Sequence, residues 1–402
     1  MRKIPSVLLA AAIAAVSLSA CSAEADKAKL VIWADEVRGE VLKPYAKQFG
    51  EDNGIEVSVE VHAEELQEDF ITASEQGKGP DILVAAHDWI GNLVQNKAID
   101  PVQLSSEQKK ALDPTALEAV TYDGDVYGNP YAVENLALIR NTKLAPEQPK
   151  TIEDLTATGK KLKKDGKTDD ILSIEVSDVG NPYHAYPFYA SAGGYLFGQD
   201  DKGQYDPGDL GLSKPEAVDA FAKLAKLGED GVMKTSMSAD NSIPKFVEGK
   251  TPYLVSGPWA LSQVKKAKLD YEVTEIPGFK GGKKATPFVG VQAFYVASKG
   301  DNKTHAQEFV TNYAATEKLN KDLFEADPRM PALTDVRAEV SADNKDIAGF
   351  EKAGEGGTIL PAIPAMSAVW DPFGKAQAAV LKGEDPEKAV KSAAKTITEA
   401  IG

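Results

Sequence analysis

The sequence predicts an α/β protein built as two lobes, and three observations support this. Leu30 to Val61 reads as strand, helix and strand, the unit that builds parallel sheets. Ile82-Leu83-Val84-Ala85-Ala86 is a short apolar run behind Gly79-Pro80, the mark of a strand covered on both faces. The same alternation of strands and helices resumes in the second half. The roughly 380 residues left after a leader suit two domains better than one.

The chain opens Met1-Arg2-Lys3, runs apolar from Val7 to Leu18 and reaches Leu18-Ser19-Ala20-Cys21. A basic start, a short apolar run and small residues before a cut are expected of a secretory signal over 1–20. The run falls short of the ~20 residues a spanning helix needs. Leu18-Ser19-Ala20-Cys21 resembles the bacterial lipobox, in which the cysteine is lipidated and becomes the first mature residue. An ordinary cleavage site ahead of a cysteine is the alternative. Cys21 is the only cysteine, so no intrachain disulfide can form.

Loss of residues 1–20 removes Arg2 and Lys3 and no acid, taking the formal charge from −16 to −18. Such a surface argues against nucleic acid, which needs a basic footprint, and against binding an anionic membrane except through a lipid.

Residues 21–28 are small and charged, a tether. Leu30 to Trp33 is a buried-strand candidate. Val41, Leu42, Tyr45, Ala46 and Phe49 share a helical face, and Asn53-Gly54 ends it. Ile55, Val57, Val59 and Val61 alternate with polar residues as a half-buried strand. A helix carrying Leu66, Phe70 and Ile71 leads to Ile82–Ala86, which ends on His87-Asp88-Trp89. Ligands of open α/β sheets bind beyond the carboxyl ends of strands, so a site is expected there. Tyr122 to Tyr127 reads as a hairpin closed by Asp123-Gly124. A Lys-rich helix follows Pro149, a strand is expected over 171–176, and Asn181 to Tyr186 reads as an aromatic loop. Ser213 with Glu216 matches a capping box. Thr251 to Val255 is a strand that stops at Ser256-Gly257-Pro258-Trp259. Phe288 to Val296 is long enough to cross between domains, and helical spacing returns over 376–400, broken by Gly383 and Pro386.

No catalytic motif emerges: there is no nucleophile elbow, Walker loop, dinucleotide fingerprint or zinc helix. The four histidines, His62, His87, His184 and His305, have no metal-ligand spacing, and His87 at a strand end suits a structural role. The aromatics say more. Trp89, Trp259 and Trp370 sit at strand ends or near chain breakers, as do Tyr183 and Tyr186. Aromatic faces stack on the CH faces of sugars, while neighbours such as Asp88 and Glu134 take hydroxyls. Core packing is the alternative for each tryptophan alone.

Lys29–Trp33, Gly79–Asp81, Ala86–Asp88, Tyr131–Glu134, Asn181–Tyr183, Ser256–Ala260, Pro287–Val291 and Ile363–Ala368 with Trp370 follow one another as in the maltose/maltodextrin-binding proteins. The chain thus resembles the extracellular solute-binding proteins of ABC importers along essentially its whole mature length. The resemblance implies a two-lobe, periplasmic-binding-protein-like fold (type II) with hinge strands and a ligand cleft. It implies lobes at 29–132 with 293–342 and at 133–292 with 343–402, and a monomer without cofactor or metal. Its implied partners are a maltose or maltodextrin ligand and an importer permease, at the cell surface, with the membrane reached through a lipid on Cys21 only.

Position by position, the resemblance makes Asp88 and Glu134 hydroxyl acceptors and Tyr183, Trp259 and Trp370 aromatic platforms. Arg38 falls where the family has a lysine donor, Asp35 where it has an asparagine. Ala85 replaces a stacking tryptophan, Trp89 an arginine, Val37 an aspartate, Asn181 a glutamate and Gly374 an arginine. These departures leave the sugar open among maltodextrins, cyclodextrin, trehalose and other α-glucosides. Two other readings compete: a glycoside hydrolase using Asp88 and Glu134, which needs carboxyls about 5–9.5 Å apart, and a binder of a metal or other non-sugar solute.

Overall fold

Two sheets with separate cores organise the chain. The computed structural model describes residues 29–62, 66–201 and 203–402; the leader and Cys21 lie outside the described residues. The larger sheet runs in the order Met330–Pro331, Gly128–Asn135, Phe288–Ala297, Ile82–Ala86, Lys29–Ala34, Glu56–Val61. Lys29–Ala34 is parallel to both Glu56–Val61 and Ile82–Ala86, as the strand–helix–strand pattern requires. On its other side Ile82–Ala86 pairs antiparallel with Phe288–Ala297, so the sheet is mixed. Asp81 pins the entry to this strand, accepting from Val31 N at 2.8 Å and Asn302 N at 2.7 Å.

The second sheet holds Tyr271–Thr274, Ala137–Asn141, Tyr253–Ser256 and Ser173–Ile174 in that order. Three helices, Pro215–Glu229, Trp370–Leu381 and Pro386–Ile401, pack together beside it. The cores change hands along the chain. Val133 belongs to the first and Leu136 to the second; Phe288 belongs to the second and Val289 to the first; Leu360 returns to the second. The strand Phe288–Ala297 therefore passes between lobes, and the fold is the two-lobed α/β architecture expected.

Several local expectations change. Asn181 to Tyr186 is not a loop but the start of the helix Pro182–Ser191, with Asn181 as its cap, accepting from His184 N at 3.1 Å, and Pro182 in its first turn. The capping box at Ser213 does not form: Ser213 lies in a short 3-10 turn, and Pro215 starts the helix behind Lys214. The strand over 171–176 is reduced to Ser173–Ile174. Helix returns already at Trp370, before residue 376. Val61 is 43 % exposed because Glu56–Val61 is the sheet's edge strand. The hairpin stands: Asp123 and Gly124 have φ of 50° and 89°, the left-handed pair a two-residue turn requires.

Candidate functional site

His87 explains why the strand Ile82–Ala86 ends where it does. Its ring is fully buried, its Nδ1 accepts from Val291 N at 3.0 Å, and its Nε2 donates to Leu360 O at 2.9 Å. Burial depresses its pKa to about 4, keeping it neutral. It is a structural histidine joining the first-lobe sheet to the segment that enters the second lobe. Asp88 and Trp89 follow in a 3-10 turn, both half-buried, with Trp89 against the first core. Burial raises the Asp88 pKa to about 7.

A charged network occupies the first-lobe wall. Asp35 caps the helix Glu36–Asn53 by accepting from Arg38 N at 3.1 Å, and its other oxygen takes Arg38 Nη1 at 2.9 Å. Arg38 Nε donates to Tyr131 Oη at 2.9 Å and Nη2 reaches Asp327 at 3.1 Å, so all three nitrogens have partners. Arg329 bonds both Asp327 and Glu134. Glu134, 8 % exposed on the strand Gly128–Asn135, also accepts from Gln292 Nε2 at 3.1 Å. Burial pushes its pKa up, against the pull of Arg38.

The second lobe meets this wall with aromatics. Tyr183 sits in the first turn of the helix Pro182–Ser191, its ring centroid 6.3 Å from Phe288 and 6.5 Å from Trp259. Its hydroxyl is buried and, among the described residues, has no hydrogen-bond partner. Burial first, then the charges of Glu134 and Asp88, hold its pKa well above the ordinary value. The second-lobe Tyr183 thus feels the charges of two first-lobe carboxylates named from the sequence. Trp259 packs partly on the second core, and the Arg329 guanidinium lies over its ring, 5.4 Å from the centroid. Trp370, also half-buried on that core, opens the helix Trp370–Leu381. Cavities of about 730 and 620 Å³ are present, but no predicted site residue lines either. No group of His, Cys, Asp and Glu among the described residues could hold a metal, and no described helix is long and apolar enough to cross a membrane.

Two departures from the family pattern gain physical reasons. A Cβ on Gly374 would lie 2.6 Å from Val179 O, and one on Gly180 would lie 1.9 Å from Gly374 O. The loop before Asn181 rests on the helix there, leaving no room for an arginine. Ala85 is 5 % exposed within the first-lobe sheet, paired with Ala293. The sequence reading missed Asp327, Arg329, Gln292 and Tyr131. Their one local signal is Asp327-Pro328-Arg329, two opposite charges around a proline between a helix and a strand.

A family model for bacterial extracellular solute-binding proteins matches residues 44–349. A galactooligosaccharide-binding protein of Bacillus subtilis (strain 168) is 28 % identical, covering 98 % of this chain and 97 % of the relative. A maltodextrin-binding protein of the same organism is 31 % identical over 90 % of this chain and 89 % of the relative. A maltooligosaccharide ABC transporter solute-binding lipoprotein of Streptococcus pneumoniae serotype 4 is 31 % identical over 99 % and 97 %.

Proposed function

We propose, from the premise that this chain belongs to the bacterial extracellular solute-binding proteins, that it captures a maltooligosaccharide between its lobes and presents it to an ABC importer's permease. Family membership makes it a binding protein and not an enzyme, so the hydrolytic reading of Asp88 and Glu134 is set aside. One observation supports the site above all others: the buried Tyr183 hydroxyl of the second lobe has no partner among the described residues and feels the charges of Glu134 and Asp88 of the first. A buried hydroxyl without a partner is costly, and a ligand hydroxyl bridging it to those carboxylates would remove that cost.

In this reading Asp88 and Glu134 accept sugar hydroxyls. Trp259, Trp370 and Tyr183 supply stacking faces, and Trp89 replaces an aromatic surface that Ala85 no longer offers. Asp35 and Arg38 act from behind, their bonds largely satisfied within the first-lobe wall. Sugar binding between lobes favours the closed arrangement by its differential affinity for it. The protein acts as a monomer.

A galactooligosaccharide is the second reading, favoured by the relative matched along 98 % of this chain and by the moved aromatic at Ala85 and Trp89. Calorimetric titration of the mature protein with maltose, maltotriose, longer maltodextrins, cyclodextrin, trehalose and galactooligosaccharides separates the readings. Maltotriose is expected to bind with a Kd of about a micromolar or tighter, some −8 kcal/mol, without hydrolysis. Tighter binding of galactooligosaccharides would transfer the assignment to them.

Export with a lipid on Cys21 completes the proposal, supported by Leu18-Ser19-Ala20-Cys21 and by the pneumococcal relative's description as a lipoprotein. Cys21→Ser is expected to release the protein into the medium of a Gram-positive host. Full retention in the membrane fraction would defeat the anchor.

A further inference from the structure

We infer that Arg329 is a resident occupant of the sugar platform at Trp259, and that ligand must displace it; the inference rests on the proposed sugar reading. The guanidinium carbon lies 5.4 Å from the Trp259 ring centroid. A pyranose stacked on an indole needs carbon contacts of 3.5–4.0 Å on each of its faces, so roughly 7–8 Å must separate the ring from whatever lies beyond. No sugar fits between these two groups. Gly257 meanwhile presses on the same indole, close enough that a Cβ there would come within 2.0 Å of its Cζ3. The six-membered ring is therefore partly covered by its own loop, and Arg329 lies over the aromatic surface as well.

Arg329 also bonds Glu134, the carboxylate proposed to accept a hydroxyl. One side chain of the first lobe thus engages both a stacking face and an acceptor intended for ligand. Its ties to Glu134 and Asp327 orient the guanidinium, and its planar shape suits the indole face. Because Arg329 and Trp259 come from different lobes, their contact draws the lobes together before sugar arrives. Affinity is then set by exchanging an arginine–tryptophan contact for a sugar–tryptophan contact, which makes Arg329 an affinity-setting residue of this cleft.

Titration of wild type, Arg329→Ala, Arg329→Lys, Trp259→Ala and the Trp259→Ala/Arg329→Ala double variant with maltotriose tests this. Lysine keeps a positive charge beside Glu134 and Asp327 but cannot lie flat on the indole, so it guards against a misfolded alanine variant. Both single Arg329 variants are expected to bind about three- to tenfold more tightly than wild type. Removing Arg329 from Trp259→Ala should give no further gain. Weaker binding by Arg329→Lys, or an equal gain in both backgrounds, overturns the inference. Small-angle scattering without ligand adds an independent arm: the Arg329 variants should show a larger radius of gyration than wild type, and an unchanged radius rules out the interlobe contact. A wild type that binds no sugar would sink the functional reading, while the scattering would still judge the contact.

Discussion

Maltotriose should bind Trp370→Ala at least about tenfold more weakly than wild type, and the Trp259→Ala/Trp370→Ala double variant at least about thirtyfold more weakly. Each proposed platform removes apolar CH surface from water at about 25 cal/mol per Å², and the aromatic face adds about 0.5–1.5 kcal/mol beyond that area. About 1.4 kcal/mol is already a tenfold change. The two tryptophans should not weigh equally. Trp370 is half-buried on the second core with no cation over its ring among the described residues, whereas Trp259 already carries Arg329. Trp259→Ala therefore loses only the difference between the sugar contact and the arginine contact, and its deficit should be the smaller. Calorimetry on the three variants checks both size and order. Unchanged affinity in Trp370→Ala would remove the stacking assignment.

The second large effect falls on stability. His87→Leu fills similar space but leaves Val291 N–H and Leu360 C=O without partners in a fully buried setting. At about 1–3 kcal/mol for each stranded group, the variant should lose about 3–4 kcal/mol in urea unfolding at neutral pH. The bond to Leu360 also ties the first-lobe sheet to the chain entering the second lobe, so the loss should loosen both. A pH dependence accompanies it. The unfolded imidazole takes a proton near pH 6.5, while the folded one resists until about 4. The unfolded state therefore binds more protons between these values, and stability falls as pH drops through that window. Between pH 7.5 and 5 this one group costs about 2 kcal/mol, a decrement His87→Leu should lack. His184, also held near 4 by burial, contributes in the same sense, and Asp88, raised to about 7, in the opposite one; comparing the variant with wild type isolates His87.

Periodicity made the sheets legible. The apolar run Ile82–Ala86, the alternation over 55–61 and the Asp123-Gly124 turn follow from local sterics and burial, which a sequence displays directly. Misreadings arose where two local signals competed. Ser213 with Glu216 offered a capping box, but Pro215 fixes the helix start two residues later, behind Lys214. Asn181-Pro182 looked like a breaker among aromatics, yet that pair is also a cap followed by a first-turn proline. The candidate site was legible only as far as its residue types. Asp88, Glu134, Tyr183 and Trp259 could be named, but not the role of Arg329, which depends on partners 195 and 2 residues away in the chain. Gly374 looked like a lost arginine; in the fold it is the point where the Val179–Gly180 backbone rests on a helix. Such close approaches leave no periodic trace.

A crystal structure of the mature protein with maltotriose tests the central claim most directly. Glucose rings stacked on Trp259 and Trp370, hydroxyls on Glu134, Asp88 and Tyr183, and Arg329 moved off the Trp259 face are the predicted result. Sugar bound outside the cleft, or bound within it with Arg329 still over Trp259, would contradict the account.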